Sequence, residues 1–191
     1  MLPTTAGPLA PWPAPAHVPG SHTRAGNAMN RTRAGLLAGA ARAFADQGLR
    51  RSTMQSVAAA AGVAKATLYN HFRTKDDVVA ALLSAELDRL TALAAALPAD
   101  QALAALSDEL GAHPVLRRLA ETDPETFAGL LTAGPERWAD VTGRLATALR
   151  IESDDADLVA RWLAGVVLQP GRSTMRHRHA ARLAATLSVE G

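Results

Sequence analysis

Residues 52–72 read STMQSVAAAAGVAKATLYNHF, and the fold turns on this stretch. Two short helical patterns meet at Gly62, which supplies the sharp turn between them. Ser52 and Gln55 have the spacing of a capping box, so the first pattern is expected to start at Ser52. Its Val57, Ala58 and Ala61 face Val63, Leu68 and Phe72 of the second, and Phe44 from upstream closes a small three-helix core. Alanine-rich contact surfaces let such helices approach closely. With Leu68 and Phe72 turned inward, Lys65, Thr67, Asn70 and His71 point outward. These side chains have the length and chemistry to reach base edges or phosphates in a major groove. The pattern alone fits an ordinary helical hairpin with a polar surface equally well.

Outward from this stretch the chain reads as helices. The one before it spans about 31–47, with Leu37, Ala40, Ala41 and Phe44 on one face and Gly48 at its end. After a short helix over about 64–72, Thr74 caps a long helix with Asp77 at the N3 position. Val79, Leu83, Glu86, Leu90, Leu93 and Leu97 form its inner stripe, with Glu86 as the single polar interruption and Pro98 as the stop. Further helices begin at Asp100, at Asp123-Pro124, at Gly134-Pro135, at Ser153 or Asp154, and at Ser173. No alternating pattern is long enough for a strand. The expected fold is all-α, an N-terminal three-helix helix-turn-helix domain followed by a larger helical regulatory and dimerisation domain. The divisions are a disordered Pro/Ala-rich tail over 1–29, the helix-turn-helix domain over 30–77, and the second domain over 78–191. Met29 is an alternative start for the chain, and Arg24 an alternative minor-groove arm.

Composition narrows the function classes. The chain has 191 residues, enough to bury a core, and 48% of them are apolar. It has no cysteine, which excludes disulfides, thiolate metal sites and a cysteine nucleophile and suits a cytoplasmic protein. No apolar run approaches the roughly 20 residues that span a bilayer, so no membrane association is expected. Nor is a signal peptide, since no basic cluster precedes an apolar stretch. No metal-ligand spacing and no glycine-rich phosphate loop occurs; His177 and His179 sit two apart, on different sides of a helix. The reading is therefore not an enzyme, with no cofactor and no metal; an all-α enzyme is the remote alternative. The net charge of +2 conceals an asymmetry. Residues 24–77 hold nine basic residues against Asp46, Asp76 and Asp77, a balance of +6, whereas 78–191 hold 11 arginines against 15 acids. A basic domain joined to an acidic one suggests that the first meets a polyanion.

The spelling from Gly62 to Phe72, with Lys75 after it, resembles the DNA-binding domain of the TetR family of bacterial regulators. So does the run-up through Ala41-Arg42-Ala43-Phe44, Gly48, Ser52-Thr53-Met54 and Val57-Ala58. The resemblance covers about 31–90. It implies a homodimer, two helix-turn-helix units on double-stranded DNA at a palindromic operator, repression as the usual outcome, and a second domain that binds a small effector. Base contacts would come from Gln55, Lys65, Ala66, Thr67 and Tyr69, and phosphate contacts from Thr53, Asn70, His71 and Lys75. Tyr69 could also serve the core, and His71 the plain surface. Ala64 departs from the family, which usually has Ser or Thr there. The recognition helix thus loses an N-cap, typically at about 1 kcal/mol, and a phosphate donor.

In the second domain the resemblance fades. The segment 155–169 carries Leu158, Trp162 and Val166 on one side and Val159, Leu163 and Val167 on the other, where a surface helix needs one stripe. One stripe is expected to face a partner subunit; Leu158, Trp162 and Val166 are the candidates, joined by Leu183 and Leu187. An effector cavity would be lined by Leu90, Leu106, Leu110, Phe127, Leu131, Trp138, Val141 and Leu145, which favours a hydrophobic effector; each could equally be core. The basic cluster Arg172, Arg176, His177, Arg178, His179 and Arg182 reads as a solvated helix face. A regulator that binds DNA without any effector remains the main alternative.

Overall fold

The computed structural model describes residues 24–132 and 134–187, with side chains from Arg31 onward, that of Leu131 excepted. The regular elements among them are ten α-helices, which agrees with the all-α expectation. They are α1 (Arg24–Gln47), α2 (Met54–Ala61), α3 (Lys65–His71), α4 (Lys75–Ala95), α5 (Ala99–Gly111), α6 (Pro114–Thr122), α7 (Pro124–Leu131), α8 (Pro135–Leu149), α9 (Ser153–Leu168) and α10 (Ser173–Ala184). The chain divides into two compact units between Leu82 and Leu83, inside α4 and five residues beyond the expected division. The expected tail falls mostly on residues 1–23, outside the described residues. Residues 24–29 are not tail but the first turns of α1, which starts at Arg24 rather than near 31.

In the first unit, α1 packs on α2 and α2 on α3. Leu36, Phe44, Val57, Leu68 and Val78 are almost wholly buried, with Phe72 and Ala58 beside them. Burial of this kind stabilises by about 1.5–3 kcal/mol for each large apolar side chain. The closest approach is at Gly39, where an added Cβ would lie 2.4 Å from the Ala61 Cβ. Only hydrogen fits there, so α2 lies directly on the backbone of α1.

In the second unit α5 packs against α10 and α9, α8 against α9, and α6 against α7. The core gathers Leu90, Leu103, Leu106, Leu145, Leu149, Ile151, Val159, Leu163 and Leu187. Polar ties fix the helices around it. Asp108 of α5 accepts from Arg176 Nη2 at 2.7 Å and lies 2.6 Å from His177 Nε2, both on α10. Of the expected solvated face only Arg176 is drawn in as an anchor; His177 and the other members of the cluster are exposed, as expected. The Trp138 indole of α8 donates to Asp157 of α9 at 2.7 Å, and the Arg161 guanidinium lies 5.2 Å from its ring.

Glu86, the polar interruption in the stripe of α4, is explained by its neighbours. Arg89 Nη2 lies 2.7 Å from it and 2.6 Å from Glu109, and His113 Nε2 lies 3.5 Å away. Burial alone would raise its pKa, but the hydrogen bonds and charge of His113 and Arg89 prevail and lower it to about 2. His113 also starts α6, a helix absent from the sequence reading: its Nδ1 accepts from Leu116 N–H, ahead of Pro114 at N1.

The partner-facing stripe needs correction. Val166 and Leu187 are buried within the unit, and Trp162 and Leu183 pack against the same core. Of the five candidates only Leu158 is exposed. The cause is angular. At about 100° per residue, Val166 falls within about 20° of Val159 but about 80° from Leu158. The outward row of α9 is Leu158, Arg161, Gly165 and Leu168, and Met175 is exposed on α10.

Candidate nucleic-acid interface

The interface is built on how α2 and α3 begin and end. Helix α2 starts one residue later than the Ser52/Gln55 spacing suggests, because Thr53 is its N-cap. Thr53 Oγ1 accepts from Ser56 N–H at 3.1 Å, and Ser56 Oγ accepts from Thr53 N–H at 2.9 Å. Ser52 instead turns inward, and its hydroxyl lies 2.7 Å from the carbonyl oxygen of Gly48 and 3.2 Å from that of Ala43. At the other end Gly62 takes the left-handed conformation at φ 69°, closing α2 and turning the chain into α3. Helix α3 has no side-chain cap at Ala64, as expected. Helix α4 begins with the expected Thr74 cap, and Asp77 at N3 completes a reciprocal box: Asp77 N–H donates to Thr74 Oγ1, and Thr74 N–H to Asp77 Oδ2. Hydrogen bonds from the Thr74 backbone and side chain to the Asp77 carboxylate hold it below the usual carboxylate range.

With Leu68 buried, α3 presents Lys65, Ala66, Tyr69 and Asn70 to solvent, while Thr67 and His71 are half-buried. Tyr69 is 44% exposed, so its ring is not part of the core. Lys65 Nζ stands 5.6 Å from the centre of that ring, one turn away, which aligns an ammonium and a phenol on one face. Gln55 and Thr53 are exposed on the preceding helix and at its cap. His71 lies beside Phe72, with ring centres 6.4 Å apart. Eight of the nine expected contact residues thus belong to α2, α3 or the Thr53 cap; of the exposed ones Thr53, Gln55, Lys65, Tyr69 and Asn70 can offer hydrogen bonds to a duplex, and Ala66 an apolar contact.

Lys75 behaves differently. Its ammonium is partly buried and donates to the carbonyl oxygens of Leu49 at 2.9 Å and Ser52 at 3.2 Å. Two further basic residues have packing roles that the sequence reading counted only as charge. Arg33 lies 4.7 Å from the centre of the Phe72 ring, and Arg42 Nη2 donates to the Ala60 carbonyl at the end of α2 at 2.7 Å. Their spacing from these partners crosses between helices, so no periodic pattern within one helix discloses it.

The eight cavity candidates of the second unit are placed as follows. Leu90, Leu106 and Leu145 are members of the buried core, and Leu110, Trp138 and Val141 pack against it. Phe127 is buried outside that cluster. Leu131 lies outside the described side chains. No helix among the described residues is long and apolar enough to cross a membrane, and no group of three potential metal ligands occurs among them.

Comparison with known proteins agrees with this geometry. Residues 36–82 match the family model of bacterial regulatory proteins, tetR family. The chain is 41% identical over 69 residues to the HTH-type transcriptional repressor KstR2 of Mycobacterium tuberculosis, covering 36% of this chain and 34% of that protein. It is 44% identical over 55 residues to KstR2 of Rhodococcus jostii, covering 29% and 27%. The match thus spans about a third of these relatives. Among solved structures, the TetR family repressor AlkX from Dietzia superposes with a TM-score of 0.60 at 20% identity, over 80% of this chain and 93% of that one. GusR of Salmonella enterica does so at 0.58 and 21%, over 81% and 92%. These two establish the fold of both units.

Proposed function

We propose that this chain, whose residues 36–82 match the family model of bacterial regulatory proteins, tetR family, is a sequence-specific DNA-binding transcriptional regulator. It acts as a homodimeric repressor at a palindromic operator and is released by a small hydrophobic effector. The observation that carries the reading is the exposed row Lys65, Ala66, Tyr69 and Asn70 on a helix whose Leu68 is wholly buried. A rigid core aims an ammonium, a phenol and an amide outward beside a methyl group, which supplies the polar and apolar contacts that base readout uses. Base contacts are assigned to Gln55, Lys65, Ala66, Thr67 and Tyr69, and phosphate contacts to Thr53, Asn70 and His71, in a unit carrying a net charge of +6 over 24–77. Repression is supported by the KstR2 relatives, which are repressors.

Dimerisation is supported by the outward row of α9, where Leu158 and Leu168 are 49% and 59% exposed, with Met175 nearby in sequence on α10. Two such units place recognition helices about 34–36 Å apart on one face of a duplex. The effector must favour the state that does not bind DNA, and α4, which contributes residues to both units, is the element through which it would act. A second reading, a DNA-binding regulator with no effector, draws on the packing of Leu90, Leu106 and Leu145 into one core.

The test is to mix purified protein with genomic DNA fragments and sequence those retained. A shared palindrome is expected, and no enrichment would sink the proposal. Lys65→Ala should then relax preference at particular bases rather than weaken binding uniformly.

A further inference from the structure

Helix α1 ends at Gln47 and α2 begins at Met54, so the backbone carbonyls of the turn between them must find donors outside a helical ladder. Residues 48–53 meet this need in an unusual way. Ser52 N–H donates to the Gly48 carbonyl at 3.2 Å, and the Ser52 hydroxyl contacts the carbonyls of Gly48 and Ala43. The carbonyls of Leu49 and Ser52 are filled from a distant part of the chain, by the Lys75 ammonium in the first turn of α4. The next residue, Thr53, is the N-cap on which α2 starts, so Lys75 is one peptide away from the origin of the supporting helix.

We propose that Lys75 is a positioning residue, not primarily a phosphate ligand: its ammonium clasps the first turn of α4 to the 48–53 turn and holds the start of α2 in the register that DNA binding requires. An ammonium has three N–H donors, and two are committed to carbonyls, which leaves one at most for anything else. The assignment rests on the DNA-binding reading above and adds to it a path: a shift of α4 at its N-terminus is transmitted through two hydrogen bonds to the cap of α2.

The full chain, Lys75→Met and Ser52→Ala are compared in two measurements. The first is amide hydrogen exchange without DNA. The clasp predicts that Ser52, Ser56 and Val57 exchange about ten-fold faster or more in Lys75→Met, and faster also in Ser52→Ala, which loosens the same turn without removing a charge. The second is affinity for a duplex selected by the wild type from a random library, measured against salt concentration. The clasp predicts weaker binding by both variants with the wild-type salt slope. Unchanged exchange in Lys75→Met overturns the proposal. So does a salt slope reduced by about one while the turn stays protected, because each phosphate contact contributes about 0.9 to that slope. Should Lys75→Met fail to fold by circular dichroism, Lys75→Gln decides: faster exchange in the turn than in the wild type supports the clasp, and wild-type exchange refutes it. A wild type that selects no duplex defeats the regulator reading alone, and the exchange data still decide whether the clasp exists.

Discussion

The two units use their charges in opposite ways. In the second, arginines meet carboxylates: Arg89 joins Glu86 to Glu109, Arg176 reaches Asp108, Arg161 pairs with Asp157, and Arg144 contacts both Asp88 and Asp140. In the first, Arg33 lies over Phe72, Lys65 over Tyr69, and Arg42 and Lys75 donate to backbone carbonyls. Rings and carbonyls orient a cation without neutralising it. The first unit is thus held together while keeping its positive field, as the proposed contact with a polyanion requires; the second consumes its charge internally.

The largest expected effect probes the independence of the two units. Phe44→Ala should cost about 3–5 kcal/mol and abolish DNA binding, because Phe44 is wholly buried in the first unit. Amide exchange in α5, α9 and α10 should stay protected; simultaneous loss across both units would break the comparison. Glu86→Gln probes the internal charge of the second. The Glu86 pKa is depressed from 4.5 to about 2, so its contribution is complete above pH 4.5 and is lost as pH falls toward 2. At pH 7 the variant should be less stable by about 2–3 kcal/mol, and the gap from wild type should close on acidification; a gap independent of pH would refute the assignment.

Smaller effects sharpen the contrast. Leu168→Asp should raise the dimer dissociation constant by about ten-fold or more in sedimentation experiments, with thermal unfolding of the separated protomer nearly unchanged, since Leu168 is 59% exposed. Last, Ala64→Ser should restore the missing cap of α3, stabilising the first unit by about 1 kcal/mol in denaturant titration while leaving the second alone.

Legibility in the sequence followed the range of the interactions. Gly62, Leu68, Phe72 and the Thr74/Asp77 box were readable because each acts within a few residues of itself. The start of α2 was displaced by one position because Ser52 and Thr53 are both good caps. Only the tertiary pull of the Ala43 and Gly48 carbonyls on Ser52 decides between them. Glu86 could be seen as an anomaly, but its reason lies in His113, 27 positions away and at the head of a helix that histidine seldom announces. Val166 lies on the inner side of α9 although it is two steps of four from Leu158, because over two such steps the drift reaches about 80°. On α3 the local pattern places Lys65 and Asn70 outward but also Thr67 and His71, which are half-buried; the resemblance adds the exposed Ala66 and Tyr69. The carbonyl partners of Lys75, Leu49 and Ser52, lie far upstream, where no local pattern discloses them.

The bare contact between Gly39 and Ala61 also has a genetic side. Most helix positions absorb a methyl group without consequence, but position 39 has no clearance. An alanine there would be passed on as a displacement of α2 and of whatever α2 supports. If the proposed regulator reading holds, a one-codon change on the helix behind α2 would mimic a damaged operator, and a second change, in the helix that moved, would suppress it.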